Sequence, residues 1–261
     1  MTKQFLLAAA AVLFCGPAMA TKARVLSLQG ANHIADSQTI FRNPAHLNFL
    51  GQYLTLEFGP TAQGNATKAE GGLFRKQGDA VMGVYLGHHG ATQATLRGLA
   101  PAFELQSNPV EFFYGKDDWA FSVGLSNTDN KTAKIKETTV VGRFGKSNSD
   151  ISWWVGGEVL STATSENTAG VESKYTGAPM VNAGVYKMIG DMSYQGVLDW
   201  GNVDKDNGTT TVKTKTMGVT LSALDHSLKA DKRDIYYGVS LEYSDFETGD
   251  PSKKVNRMAL P

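Results

Sequence analysis

Hydrophobic and polar residues alternate along several stretches of the chain, most clearly between residues 151 and 200. Near the start of this stretch, Trp153 and Val155 occupy every second position, with Ser152 and Glu158 on the complementary positions. Successive side chains of a β-strand point to opposite faces, so this pattern gives a strand one apolar and one polar surface. The alternation predicts extended, half-polar strands.

The same pattern predicts eleven complete strands and a twelfth that begins at Val255. The eleven are Gln52–Phe58, Gly72–Lys76, Ala80–His88, Pro109–Tyr114, Asp118–Ser126, Glu137–Phe144, Ile151–Leu160, Met180–Met188, Ser193–Val203, Val212–Leu224 and Asp234–Phe246. Val25 to Leu28 could add a short strand. Apolar residues in 90–106 have helix-like spacing, although Pro101 limits a helix there to one or two turns.

The predicted connections differ in length from one end of the strands to the other. Short turns are expected at 115–117, 145–150 and 189–191, with a longer connection at 225–233. Between them lie longer polar loops at 127–135, 161–178, 204–211 and 247–254. Short turns on one rim and long loops on the other are typical of outer-membrane barrels. In that arrangement residues 21–51 lie in the periplasm, and 90–106 forms an outside loop long enough to enter the lumen.

Aromatic residues favour a membrane barrel over a soluble β-sandwich, because they fall at the ends of the apolar faces, as in membrane girdles. The predicted girdle residues are Phe58, Trp119, Phe144, Trp153, Tyr194, Trp200, Tyr237 and Tyr243. The polar faces would then line the lumen, with Glu57, Tyr85, Arg143, Glu158, Asp199 and Glu242 as candidate pore-lining residues. The predicted fold class is all-β, a transmembrane antiparallel up-and-down β-barrel.

The first 20 residues have the features of a secretory signal peptide: Lys3, an apolar core and an Ala18-Met19-Ala20 cleavage site. Cleavage would remove Cys15, which is the single cysteine of the 261 residues. A lipoprotein signal that uses Cys15 is the disfavoured alternative. The mature chain would be one domain, residues 21–261. It would carry 24 basic and 25 acidic residues, since only Lys3 is lost, and this balance gives no electrostatic footprint for nucleic acid.

After the signal peptide no run of about 18 apolar residues occurs, so a membrane helix is not predicted. A chain that crosses a bilayer without helices must close into a barrel to satisfy its backbone polar groups. Bacterial barrels usually end in an aromatic residue, whereas this chain stops at Pro261 in what the pattern predicts to be the twelfth strand. The expectation is therefore a fragment that lacks its closing strands, with a miscounted edge or a soluble tail as the alternative.

Three segments resemble a known family. They are Ala31 to Pro44 (A-N-H-I-A-D-S-Q-T-I-F-R-N-P), the G-G-L-F-R-K-Q-G-D hairpin from Gly71, and the G-V-Y-L-G-H sequence that follows it. The chain resembles the porin-like major outer-membrane proteins of Bdellovibrio and its relatives over its whole mature length. The resemblance implies a general porin-type role and homo-oligomerisation, and the missing carboxyl-terminal aromatic strand departs from the family pattern.

Candidate chemistry in the sequence is weak. The histidines have no metal-binding spacing, since His88 and His89 are adjacent and would point to opposite faces of a strand. The 204–208 segment begins like a calcium loop, but Lys215 stands where the EF-hand needs glutamate. Asp225-His226-Ser227 suggests hydrolase residues, yet neighbours on a strand or turn point apart. We therefore expect no metal, no cofactor and no enzymatic activity.

The sequence favours a channel for passive diffusion of small hydrophilic solutes and ions. The expected partners are outer-membrane lipid and lipopolysaccharide, the solutes and further copies of the chain, in the bacterial outer membrane. The alternatives are a barrel with a plugged lumen and a structural or surface-contact role, a secreted soluble β-sandwich, and, least favoured, a barrel enzyme that uses His226.

Overall fold

The computed structural model describes residues 36–58, 69–88, 109–132, 134–166, 170–206, 208–230, 233–248 and 255–259. Within these ranges twelve strands form one antiparallel sheet, and each strand pairs with the next in sequence order. The strands are β1 (Tyr53–Phe58), β2 (Ala69–Gln77), β3 (Ala80–Leu86), β4 (Val110–Lys116), β5 (Trp119–Asn130), β6 (Ile135–Ser147), β7 (Ile151–Glu166), β8 (Glu172–Ile189), β9 (Met192–Asp206), β10 (Thr211–Ala230), β11 (Arg233–Thr248) and β12 (Val255–Ala259). The predicted all-β class and the twelve strands are confirmed.

A short helical stretch, residues 36–50, precedes β1 and is called the docked segment below. It contains 3₁₀ turns at Thr39–Phe41 and Pro44–His46 and one turn of α-helix, α1 (Leu47–Leu50). Asn43 caps the second turn by accepting a 3.0 Å hydrogen bond from the Ala45 N–H. In the described part of the chain no helix has the length and hydrophobicity needed to span a membrane.

The docked segment lies against one face of the sheet, which defines the inner face; the opposite face is the outer face. β5 shows the difference: Ser122 and Ser126 are buried on the inner face, whereas Phe121, Val123 and Leu125 are 41–48% exposed on the outer face. Successive side chains of a strand point to opposite faces, so residues alternate between the covered inner face and the uncovered outer face. The sheet therefore presents its apolar residues outward.

The inner face also holds a small apolar cluster where the docked segment meets β2–β4. Ile40 and Leu47 of the segment pack with Phe74, Tyr85 and Phe113, together with Val81. Burial of a large apolar side chain contributes roughly 1.5–3 kcal/mol, so this cluster is the main hydrophobic attachment of the segment. The described part of the N-terminal segment, residues 36–50, thus packs on the inner face of the sheet, and its predicted location in the periplasm stays a prediction.

The connections at the two rims of the sheet differ in length, although much of the predicted long loops is strand. The short-turn rim has two- or three-residue connections, among them Gly78-Asp79 and Gly190-Asp191. Gly78 and Gly190 take φ of 61° and 60°, a conformation that glycine adopts without steric cost. The opposite rim, which holds the end of β1 at Phe58 and the start of β2 at Ala69, is called the loop rim.

Several strands extend further than predicted. β7 continues to Glu166 and β8 begins at Glu172, so most of the long loop expected at 161–178 is strand. β10 continues to Ala230, so the long connection expected at 225–233 is also strand. The predicted loops at 127–135 and 204–211 shorten in the same way. These extensions carry Thr, Ser and Lys on both faces, so they lack the alternation that marks the rest, although threonine favours extended structure.

A β-bulge interrupts the register of β7. Val140 pairs with Leu160 and Val141 with Glu158, which leaves Val159 without an opposite residue. Val159 and Leu160 are consequently both exposed on the outer face, while Glu158 stays buried on the inner face. At the bulge the alternation of inner and outer side chains shifts by one residue, and the outer face stays apolar on both sides of it.

Residues 1–35 and 89–108 lie outside the described residues. The predicted signal peptide, the possible strand at Val25 to Leu28 and the helix-like spacing at 90–106 fall in these ranges.

Candidate functional site

The predicted pore-lining residues lie on the inner face wherever their side chains are described. Glu57, Tyr85 and Glu158 are buried there, and Arg143 and Asp199 are partly buried on the same face. Glu242 pairs with Thr220 in the β10–β11 ladder, and its side chain lies outside the described residues. That these residues line a pore stays a prediction.

The predicted girdle aromatics lie on the outer face where the structure describes them. Phe144, Trp153, Tyr194 and Trp200 are exposed there, with Trp119 partly buried. Tyr243 is also partly buried and pairs with Val219, while the side chains of Phe58 and Tyr237 are not described. β9 continues to Asp206, so Trp200 lies six residues from the end of its strand and not beside a loop.

Five of the outer aromatic rings form a continuous row along the short-turn rim. Tyr114 and Phe144 lie 5.7 and 6.4 Å from Trp119, centroid to centroid, and Phe144 lies 5.6 Å from Trp153. Phe121 completes the row at 5.6 Å from Tyr114. Tyr114 and Phe121 were not predicted as girdle residues, although their alternation with Phe113 and Ser122 would have identified them.

Gln38 of the docked segment joins three inner-face side chains near the loop rim. Its Nε2 donates to Glu57 Oε1 at 2.9 Å and to the Tyr85 hydroxyl at 3.1 Å, with Glu70 Oε1 at 3.4 Å. Glu57 and Glu70 are directly opposite in the β1–β2 ladder. A neutral amide therefore supplies donors to two adjacent carboxylates, which fixes this end of the segment to β1–β3.

An ion pair crosses the inner face at the middle of the sheet. The Arg143 guanidinium on β6 donates to Glu111 Oε1 on β4, and the Ser122 hydroxyl between them donates to the same oxygen at 2.6 Å. Arg143 also lies 6.0 Å above the ring centroid of Phe41 in the docked segment. The pair leaves this part of the wall locally neutral. Glu111 was not predicted, because its sequence context gives no partner.

Two further hydrogen-bonded groups extend along the inner face. Glu137 accepts from the Ser126 hydroxyl at 2.9 Å. Trp154 Nε1 donates to Asn182 Oδ1 at 2.7 Å, and Asn182 Nδ2 donates to Asp199 Oδ1 at 2.6 Å. The wall is thus a set of short polar networks that each occupy two or three neighbouring strands.

The suggestive Asp225-His226-Ser227 sequence lies within β10, and not in a turn as predicted. His226 Nε2 is 2.7 Å from the Ser193 hydroxyl on β9. This distance would suit a nucleophile and its base. Ser193 is only 2% exposed, and its contact with His226 joins β9 to β10 as a cross-strand hydrogen bond.

At the short-turn rim two asparagines attach the docked segment to the sheet. Asn43 Nδ2 donates to the Ser152 hydroxyl at 2.7 Å, and Asn48 Nδ2 donates to the Trp119 carbonyl at 3.0 Å. Gly145 and Gly115 make these approaches possible, because a Cβ at either position would collide with the asparagine side chain.

Beside these contacts a cavity of about 140 Å³, the rim cavity, separates the docked segment from β6–β8. Its lining is Thr39, Arg42, Asn43, His46, Phe49, Ser147, Asn148, Ser152, Trp154 and Tyr186. Burial, together with the nearby positive charge of Arg42, lowers the pKa of His46 to about 4. His46 is therefore neutral at pH 7, and Arg42 carries the positive charge of the cavity.

Across the described ranges no group of three or more His, Cys, Asp or Glu residues is arranged to hold a metal ion. Comparison of the chain with protein-family models, curated proteins and solved structures found no match.

Proposed function

We propose that the sheet closes into a membrane β-barrel that acts as a porin-type channel for small hydrophilic solutes and ions. The observation that carries this proposal is the inversion of the two faces. Leu56, Leu73, Phe112, Leu125 and Leu221 are 48–64% exposed on the outer face, while charged and hydroxyl side chains are buried on the inner face. Hydrocarbon is the environment that suits such an outer face.

The extent of the apolar surface supports a lipid environment. Exposed large hydrophobic residues occur on every strand from β1 to β11, whereas soluble monomers rarely expose patches beyond a few hundred Å². A two-layer sandwich would bury these side chains between its sheets. The described strands instead form a single sheet with the apolar face uncovered.

The strand number and direction are compatible with closure. Neighbouring strands alternate in direction, so β1 and β12 run in opposite directions and can pair as antiparallel strands. Bacterial barrels have an even number of strands. Closure would also give hydrogen-bond partners to the backbone N–H and C=O groups at both sheet edges, because lipid hydrocarbon offers none.

The polar networks of the inner face support a hydrated interior. Solutes would diffuse passively and be selected by diameter and by wall charges such as Glu57, Arg143 and Asp199. By the same proposal the channel lies in the bacterial outer membrane in contact with lipid and lipopolysaccharide. Its association into homo-oligomers is a further proposal.

A plugged barrel with a structural role is the second candidate, and the docked segment favours it. The segment occupies the inner face of β2–β7 through the Phe74 and Phe113 cluster and through the Asn43–Ser152 hydrogen bond. If these contacts persist in the membrane, they narrow the lumen or close it.

Planar-bilayer recording separates the two candidates. The channel predicts stepwise conductance from the purified full chain. A triple variant, Gln38→Ala, Asn43→Ala and Asn48→Ala, loosens the docked segment, and Asn127→Ala on the exposed side of β5 is the matched control. If only the triple variant conducts, while the full chain and the Asn127→Ala control do not, the plugged barrel is supported. If neither the full chain nor the triple variant conducts, the channel is rejected.

A further inference from the structure

We propose that the rim cavity is a binding site for a small organic carboxylate, which pairs with the guanidinium of Arg42. The inference deepens the proposed function, on which it rests, by assigning a class of solute to the short-turn end of the lumen. It is carried by an unsatisfied buried cation, the charge balance of the lining and the shape of the walls.

Arg42 is the first observation. Its Nη1 atom is buried, and it has no hydrogen-bond partner within the described part of the chain. Asp199 attracts Arg42 electrostatically, but it makes no hydrogen bond to Nη1. A buried guanidinium donor without an acceptor is costly, and a carboxylate satisfies it with two parallel hydrogen bonds.

Charge balance is the second observation. The described lining holds Arg42 and the neutral His46, and it includes no aspartate or glutamate. A ligand with one negative charge would therefore match the single cation of the described lining. A phosphate that carries nearly two negative charges would leave an excess, with no second cation in the lining to offset it.

The walls provide for both ends of such a ligand. The Ser152 hydroxyl accepts from Asn43, so its own O–H remains able to donate to a carboxylate oxygen. Trp154 uses its Nε1 in the bond to Asn182, and its ring faces the cavity together with Phe49 and Tyr186. These rings suit a hydrocarbon body, and the volume of about 140 Å³ is far above the roughly 10–15 Å³ that one water molecule needs.

Calorimetry on the full chain in detergent micelles tests the site, with benzoate, benzyl alcohol and inorganic phosphate as the three probes. Benzoate should bind, and the uncharged alcohol should bind about ten- to hundredfold more weakly, the range for a hydrogen bond to a charged group. Arg42→Gln should weaken benzoate binding by the same factor. Arg75→Gln, on the exposed outer face of β2, is the matched control and should leave it unchanged.

A second variant tests the cavity without removing its charge. Ser147 is buried in the lining, and Ser147→Leu would fill part of the space while Arg42 remains. Benzoate affinity should fall in this variant too. Tighter binding of phosphate than of benzoate, or equal benzoate affinity in the wild type and both variants, would overturn the assignment. Binding in a protein that shows no conductance would keep the site and reject the channel, so the two proposals fail separately.

Discussion

Asn43 donates a 2.7 Å hydrogen bond to the hydroxyl of Ser152, 109 residues further along the chain. The same side chain accepts from the Ala45 N–H at 3.0 Å, so it fixes the bend of the docked segment and ties that bend to β7. Asn43 reaches this position over Gly145 of β6. The attachment at the short-turn rim therefore depends on the absence of a side chain at position 145.

Gly145→Ala should weaken the attachment. The added Cβ collides with Asn43 Oδ1, and overpacking of a close contact costs about 1–3 kcal/mol. Hydrogen exchange of residues 36–50 would show reduced protection. Gly142→Ala is the control on the same strand, because a Cβ there meets no atom within 4 Å. Equal loss of protection in both variants would contradict the proposed contact.

Trp153 and Trp154 are consecutive residues on opposite faces, which allows a direct test of membrane insertion. Under the proposed function the outer face contacts hydrocarbon, so a variant that keeps only Trp153 should be quenched by lipids brominated on their acyl chains. A variant that keeps only Trp154, which is 4% exposed on the inner face, should be quenched much less. Similar quenching of the two variants would argue against a lipid-facing outer surface.

The Arg143–Glu111 pair should set local charge in the lumen. Arg143→Gln leaves the carboxylate unpaired and should shift the reversal potential in a salt gradient toward cation preference, while Glu111→Gln should shift it toward anions. Each single change should also cost about 3 kcal/mol of stability, since it breaks a buried pair. The double variant restores neutrality, so it should recover the wild-type reversal potential; if it keeps either shift, the pair does not act as proposed.

Docking of the segment should depend on pH through His46. Its folded pKa of about 4 lies below the 6.5 of an exposed histidine, so the undocked state binds more protons between these values. The docked state is therefore fully favoured above about pH 6.5 and loses about 3 kcal/mol as the pH falls to 4. Limited proteolysis near residues 36–50 at pH 7.5 and 4.5 measures the change. His46→Gln should abolish the pH dependence, and proteolysis that still accelerates at pH 4.5 in that variant would assign the effect to another group.

Alternation in the sequence was sufficient to place the faces of the strands. A slip of one residue would exchange the faces of Arg143 and Phe144, and the structure places Arg143 inside and Phe144 outside, as the alternation predicts. The strand ends were less predictable. In the continuation of β7 to Glu166, serine and threonine occupy both faces, and a period of two cannot be seen where both faces are polar.

The docked segment could not be found by the same reasoning. Ile40 and Leu47 lie in turns too short to show a helical period, and their partners Phe74 and Phe113 lie on strands whose inner faces were expected to be polar. Its polar attachments, such as Asn48 to the Trp119 carbonyl, join distant parts of the chain. A pattern confined to a local window contains no information about such contacts.

Order of synthesis and order of assembly are opposed in this protein. The docked segment precedes β1, yet Asn48 and Asn43 bind partners 71 and 109 residues later, on β5 and β7. Native contacts between such distant positions are slow to form, because a long loop must close before they are gained. The hydrogen bond of Asn43 therefore has to wait until β7 exists, whereas Ile40 and Leu47 can be covered once β2–β4 have formed, because Phe74, Tyr85 and Phe113 lie on those strands. The segment would dock in two stages, with the apolar cluster first and the asparagine attachment last.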